Sequence, residues 1–303
     1  MTTDSNPRFV DLHTHSTASD GSLAPSALMR AAKGAGLAVI ALTDHDTCNG
    51  IAEARAAAVE EGIRLIPGIE ISADWPAPGE MHILGHFVDD ASRALADMSR
   101  SLLEARNQRN PKIVARLNEL GCRITMEQVA AIAHRNVPAD QPIVIGRPHI
   151  AEALVETNCV ANMKQAFDIY LGTTGSAYFP KERLTPRQAI ECIHATGGLA
   201  TLAHPIRLRA DNPAHLQTIL NHLAEAGLDG LECWHSDHDP KYVELCLELA
   251  KRYALIPTGG SDFHGSKKLD IALGRGRNNV RVPYEVFERL ETKWKQKRHA
   301  ELV

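Results

Sequence analysis

His13 and His15 stand two residues apart, directly after the short apolar run Arg8-Phe9-Val10-Asp11-Leu12. In an extended segment residues i and i+2 point to the same side, so the two imidazoles can hold one metal ion together. Asp20 follows closely, and the same residue types recur where other apolar runs end. They appear as Thr43-Asp44-His45-Asp46, Gly68-Ile69-Glu70, Ala203-His204-Pro205 and Gly259-Gly260-Ser261-Asp262-Phe263-His264, with His82 inside the fourth run. The sixth run leads into Glu232-Cys233-Trp234-His235. The chain holds 15 histidines against 6 phenylalanines, and random scatter would not put so many at the same end of successive runs. Clustered imidazoles and carboxylates point to divalent cations. A hydroxide bridging two such ions is a strong nucleophile at neutral pH, and the cations offset the charge of a phosphoryl group under attack.

Such a cluster needs strands to position it. Seven short runs bounded by turn residues qualify: Arg8 to Leu12, Ala38 to Leu42, Arg64 to Pro67, Met81 to Gly85, Leu199 to Ala203, Leu228 to Glu232 and Leu255 to Thr258. Helical patterns separate most of them, such as Pro25 to Ala35 and Ile51 to Glu61, each followed by glycine. Thr185-Pro186-Arg187-Gln188 combines a capping box with proline at the first helical position. Alternating strands and helices predict an α/β fold with a parallel sheet, closed as a barrel whose site lies at the C-terminal strand ends. The alternation stops between residues 91 and 179, where helices are expected over Ser92 to Leu120, Met126 to Ala133, Pro148 to Val155 and Met163 to Tyr170. The expected division is a barrel domain, 1–90 and 180–303, with a helical insert, 91–179, as lid or substrate-selecting cap. The tail Glu285 to Lys297 reads as an amphipathic helix.

Composition narrows the class. With 303 residues, 44% of them hydrophobic, and a net charge of −4, the chain is neither disordered nor a strongly basic nucleic-acid module. No apolar run is long enough for a bilayer, and the N-terminus lacks a signal-peptide layout, so a cytoplasmic location without membrane association is expected. Cys48, Cys122, Cys159, Cys192, Cys233 and Cys246 form no C-x-x-C pair and read as buried small hydrophobes, without a disulfide framework or thiolate zinc site.

Taken in order, H-x-H, Asp, T-D-H, G-I-E, the histidine of H-I-L-G, A-H-P and S-D-F-H resemble the PHP (polymerase and histidinol phosphatase) superfamily over nearly the whole chain. The insert with Gly146-Arg147-Pro148-His149-Ile150-Ala151 is similar to the branch of 3′,5′-nucleotide bisphosphate phosphatases and a related 5′ to 3′ RNA exonuclease. The resemblance implies a distorted (β/α)7 barrel with a trinuclear metal centre. It implies His13, His15, Glu70 and Asp262 at a first metal, Asp20, His45 and His264 at a second, and Glu70, His82 and His204 at a third, with Glu70 bridging. His86, His149 and His194 remain alternatives at the third metal. Asp20 stands where many members place histidine, and an oxygen ligand favours a harder ion, so Mn²⁺ is expected, with Mg²⁺, Zn²⁺ or Fe²⁺ as alternatives.

The expected reaction is hydrolysis of the 3′-phosphate of a nucleoside 3′,5′-bisphosphate, with Asp262 and His264 in the catalytic centre and His235 or His238 as proton donor to the leaving group. Arg135 beside Asn136, Arg147, Arg106, Arg109 and Arg207 are candidates to grip a second phosphate. Tyr178, Phe179 or Trp234 could stack a base. The alternatives are an exonuclease acting on short 5′-phosphorylated RNA, a general phosphatase, an amidohydrolase, and a non-catalytic module. An amidohydrolase would need a bridging lysine where Glu70 stands, and a non-catalytic module would be expected to lack ligands. No obligate protein partner is implied.

Overall fold

The computed structural model describes residues 8–76, 78–135, 143–180, 182–277 and 280–301. The chain runs β1 (Phe9–Asp11), α1 (Pro25–Gly34), β2 (Leu37–Leu42), α2 (Ile51–Glu61), β3 (Arg64–Ala73), β4 (Met81–His86), α3 (Arg93–Glu119), α4 (Met126–Ala133), α5 (Arg147–Glu156), α6 (Met163–Ala166), α7 (Pro186–His194), β5 (Leu199–Leu202), α8 (Pro213–Glu225), β6 (Gly230–Trp234), α9 (Pro240–Arg252), β7 (Ile256–Gly259), β8 (Val282–Pro283) and α10 (Tyr284–Glu301). Helix starts follow local chemistry. Thr125 and Thr185 complete capping boxes with Gln128 and Gln188, while Asn212 and Asp239 cap α8 and α9 ahead of a proline at the first helical position.

The strands form one sheet in the order β7-β6-β5-β4-β3-β2-β1-β8. Beyond β1 the chain crosses to the other edge: the Leu12 N–H donates to the Gly259 carbonyl (3.2 Å), and the Asp262 N–H to the His13 carbonyl (2.9 Å). These bonds nearly close a distorted barrel. Two features depart from the expected run of parallel βα units. β8 is an additional strand, antiparallel to β1, and β4 is antiparallel to both β3 and β5. The link from Ala73 to Met81 is too short for a crossover helix, which a parallel pairing requires. The reversal places the start of β4, with His82 opposite Ser72, at the end where the other strands finish.

Val10, Leu12, Val39, Ala41, Ile66 and Leu199 pack at the lower end of the barrel against Val286, Phe287 and Leu290 of α10. The expected amphipathic tail helix therefore covers the end remote from the histidines. A larger apolar layer lies beneath α7, α8 and α9. The helices between β4 and α7 have a core of their own, including Ile113, Leu117, Val129, Ile150, Leu154 and Leu171. A disulfide joins Cys122 to Cys159 there, correcting the expectation of none; the Cα atoms are 5.6 Å apart. Two helix-exit turns bring these cysteines together across 37 residues, a proximity that spacing cannot show. Cys233 and Cys246 are buried and free, whereas Cys48 and Cys192 are half-buried. No described helix is long and apolar enough to cross a membrane.

Candidate metal centre

Glu70 lies in β3 opposite Leu84, fully buried, and both carboxylate oxygens meet imidazoles. Oε2 is 3.3 Å from His13 Nε2, 3.1 Å from His15 Nε2 and 3.1 Å from His45 Nδ1. Oε1 is 2.8 Å from His82 Nδ1 and 2.9 Å from His204 Nε2. Asp262 Oδ1 stands 3.6 Å from His13 Nε2 and 3.4 Å from His15 Nε2. Asp20 sits to the side, 3.3 Å from His264 Nε2 and 3.8 Å from His45 Nε2. All nine residues expected as ligands thus converge, Glu70 and His82 from strands and the others from the barrel loops. Among the described residues, three groups could each surround a cation: His15 with Asp20, His45 and His264; His13 with His15 and Glu70; His45 with Glu70 and His82.

The backbone is strained to achieve this. His204 has φ 24° and Asp262 φ 55°, values that side chains other than glycine rarely adopt and that tend to occur at functional sites. Gly260 permits the close passage of β7 past β1, since a Cβ there would lie 2.4 Å from the His13 backbone nitrogen.

These residues fit divalent cations. His13 Nε2, both ring nitrogens of His15, His45 Nδ1 and Glu70 Oε2 are buried and make no hydrogen bond, an arrangement costly for a metal-free protein. Burial opposes charge on His15, but the carboxylates of Asp262 and Glu70, 3.4 Å and 3.1 Å from its Nε2, raise it to about 9. Burial likewise disfavours the Glu70 carboxylate, yet the imidazoles of His45, His82 and His13 hold it well below the usual carboxylate range. Positive charge is thus favoured where cations would sit.

Behind the ligands lies a set of acids that sequence reasoning did not single out as functional. Asp11 accepts from the Ser261 N–H (2.8 Å) and hydroxyl (2.6 Å), anchoring the loop that carries Asp262. Asp44 accepts from the Ser16 N–H (2.8 Å) and the Ser19 hydroxyl (2.5 Å), tying down the segment from His15 to Asp20. Asp46 accepts from the Ser72 N–H (2.9 Å) and pairs with Arg106. Glu232 in β6 touches His13 and His204. The available signal was an acid inside or just after an apolar strand, where burial demands a partner.

The reserve ligands have other work. His86 Nε2 donates to the Leu12 carbonyl (2.9 Å), four residues down β4 from His82. His149 Nδ1 accepts the Gly146 N–H (3.0 Å), and His194 pairs with Asp229 (2.8 Å). The proton-donor expectation fails for His238. It is buried, gives Nδ1–H to the Cys233 carbonyl (2.8 Å), is pushed down to about 4 chiefly by burial, and does not line the cavity. His235 is also buried beneath the cavity, with Nε2 3.5 Å from Asp262 Oδ2.

A cavity of about 310 Å³ lies between this cluster and the helices that follow β4. Asp20, His45, His82 and His264 form one side, and Arg106, Arg109, Arg147, Arg183, Arg207, Lys267 and Lys268 line much of the rest. Arg147 is held by Glu80 (2.7 Å) and the Leu171 carbonyl (2.9 Å), and Arg207 by Asp237 (3.0 Å) and Asp262 (2.9 Å). Arg109 gives Nε and Nη2 to the Asn110 side-chain carbonyl. Burial, then the neighbouring Arg106, Arg147 and Arg183, push Arg109 down to about 9. Arg135 is the correction among the arginines. It is half exposed, bonds to Glu152 (2.9 Å) and Glu156 (2.7 Å), and lines a neighbouring hollow instead of this cavity. Asn136 lies outside the described residues. Trp234 and Phe179 pack against cores, and Tyr178 is likewise absent from the cavity wall; the aromatic that lines it is Phe167, on a π turn after α6. Arg183, Lys267 and Lys268 were missed because such connecting segments carry no periodic signal, and Phe167 because an apolar residue in an expected helix reads as core.

A distorted barrel with buried imidazoles and carboxylates at one end, facing a basic cavity, defines a metal-dependent hydrolase acting on anionic groups. Residues 11–225 match the PHP domain model, and the chain belongs to the PHP family of hydrolytic phosphoesterases. It is 37% identical over 254 residues to a 5′-3′ exoribonuclease of Haemophilus influenzae, covering 84% of this chain and 89% of that protein. It is 33% identical over 255 residues to a 3′,5′-nucleoside bisphosphate phosphatase of Chromobacterium violaceum, covering 84% of this chain and 87% of that one. Its fold is similar to a solved structure from Bifidobacterium adolescentis described as a metal-dependent phosphoesterase, with TM-score 0.80, 31% identity, and 94% and 96% of the two chains covered.

Proposed function

We propose that the protein removes the 3′-phosphate from nucleoside 3′,5′-bisphosphates, with three divalent cations, Mn²⁺ by preference, held by the barrel ligands. The observation that carries this reading is the crowd of guanidinium and ammonium groups facing the ligand cluster across an enclosure of nucleotide size. Arg109 is central: buried among other cations and bonded to an amide oxygen, it can offer charge-assisted bonds to a second phosphate. His13, His15, Glu70 and Asp262 would hold one ion, Asp20, His45 and His264 another, and Glu70, His82 and His204 a third. When bound, such ions lower the pKa of water and offset phosphate charge.

The rest is done by the chain itself. Arg207 Nη2 (2.9 Å) and Lys268 Nζ (2.7 Å) both contact Asp262 Oδ2, which fixes that carboxylate and leaves both cations at the cavity wall to meet phosphoryl oxygens. Arg106, Arg109 and Arg147, carried by α3 and α5, take the remote phosphate, while Met163 and Phe167 supply apolar surface for the nucleoside. Residues 91–179 act as the cap that selects substrates. An exonuclease reading is favoured by one observation: a second hollow of about 320 Å³ adjoins the first, sharing Met163 and Lys267, and can receive a following nucleotide.

Phosphate release from a panel of mono- and bisphosphorylated nucleosides and 5′-phosphorylated oligoribonucleotides, with Mn²⁺, tests the reading. The bisphosphate should be preferred, and Arg109→Ala or Arg147→Ala should raise its KM by roughly tenfold to a hundredfold while changing kcat less. Arg135→Ala should leave the preference within about twofold, since an exposed ion pair contributes little. Equal turnover of mono- and bisphosphates by the wild type, or faster cutting of RNA, would overturn the bisphosphate assignment.

A further inference from the structure

We propose that Glu232 is a positioning residue that sets the tautomer of His13 and the backbone of His204 together, a task that only a carboxylate can perform. Glu232 is completely buried in β6. Its Oε1 lies 3.0 Å from His13 Nδ1, and its Oε2 accepts the His204 N–H at 2.6 Å. With the proton on Nδ1 directed to Glu232, the lone pair of His13 Nε2 faces Glu70 Oε2 and Asp262 Oδ1, where a cation would be shared. The second oxygen works on a different strand. His204 occupies an unfavourable backbone conformation, φ 24°, that its N–H bond to Glu232 helps to hold, and this turns its own Nε2 onto Glu70 Oε1. One buried side chain thereby ties a ligand after β1 to a ligand after β5.

The chemistry of the two bonds makes the role specific. A backbone N–H can only donate, so the atom facing His204 must accept. In Glu232→Gln the amide oxygen takes that place, and the NH₂ group then points at His13 Nδ1. Nδ1 is forced to accept, the ring proton moves to Nε2, and the nitrogen aimed at Glu70 and Asp262 can no longer ligate. Size and hydrogen-bond count are preserved while the tautomer is inverted.

The inference rests on His13 being a ligand, as proposed above, and the test separates the two. Full-length protein labelled with ¹⁵N-histidine and loaded with Zn²⁺ as a diamagnetic probe is compared by NMR and by calorimetric zinc titration, wild type against E232Q. Wild type should show a slowly exchanging, hydrogen-bonded proton on His13 Nδ1 with zinc at Nε2. The variant should lose that resonance and bind zinc about tenfold to a hundredfold more weakly at one site, with an unchanged far-UV circular dichroism spectrum when metal-free. Zinc bound to wild type through His13 Nδ1, or an E232Q protein that keeps both the resonance and the affinity, overturns the positioning role alone. A wild-type protein that binds no zinc overturns the ligand reading as well. The wild-type spectrum decides the tautomer even if the variant does not fold.

Discussion

Glu70→Gln should lower turnover by about a thousandfold or more while the protein still folds. The substitution keeps shape and removes one charge, and that charge is shared by every part of the cluster. Oε2 is within 3.3 Å of nitrogens from His13, His15 and His45, and Oε1 within 2.9 Å of nitrogens from His82 and His204. An amide would present one oxygen to one set of imidazoles and a donor to the other, so no orientation serves both. The backbone gives the side chain no freedom to adjust, because the Glu70 N–H donates to the Asp44 carbonyl (3.1 Å) and its own carbonyl accepts the Asp46 N–H (2.9 Å). Phosphate release, with manganese bound per chain measured beside it, should show activity and metal content falling together. A variant within tenfold of wild type in kcat/KM would remove Glu70 from the bridging position.

Side-chain type at strand ends was readable without coordinates because a metal cluster demands imidazole and carboxylate, and strands deliver their last residues to one rim. His13, His15, His45, Glu70, His204, Asp262 and His264 reach that rim as their motifs imply. The direction of β4 was harder. An apolar run has the same composition whichever way it is traversed, and only the short Asp74 to Glu80 link carried the information. The anchoring acids were hidden for a related reason. Asp11, Asp44, Asp46 and Glu232 matter through partners far away in sequence, such as Ser261 for Asp11, and pairing at that range follows from closure of the barrel. Arg135 shows the reverse error. Its place beside Asn136 suggested a phosphate grip, but in the turn after α4 its guanidinium bonds to Glu152 and Glu156. Arg109 and Arg147, from the same insert, face inward.

Stripping the protein of divalent cations with a chelator should abolish turnover and leave a chain whose stability falls as pH rises from about 6.5 to 9. The sign follows from His15. Its folded value, about 9, is above the ordinary 6.5, so the proton it holds against Glu70 and Asp262 contributes fully below 6.5 and is lost as pH rises through the folded value. The rise corresponds to on the order of 3 kcal/mol for a group this buried. His13, raised chiefly through Glu232 and Glu70 against the effect of burial, acts in the same direction. In acid the trend reverses: Glu70, Asp20 and Asp262 are held low, so their contribution disappears as pH falls through the carboxylate range. The loaded protein should behave differently between pH 6.5 and 9. Cations replace those protons, ligand nitrogens must be neutral, and proton competition weakens as pH rises. The stability gap between loaded and stripped protein should therefore widen across that interval, as urea unfolding at pH 6, 7.5 and 9 with and without Mn²⁺ would show. A gap that stays constant or narrows would mean that the imidazoles around Glu70 do not exchange protons for metal.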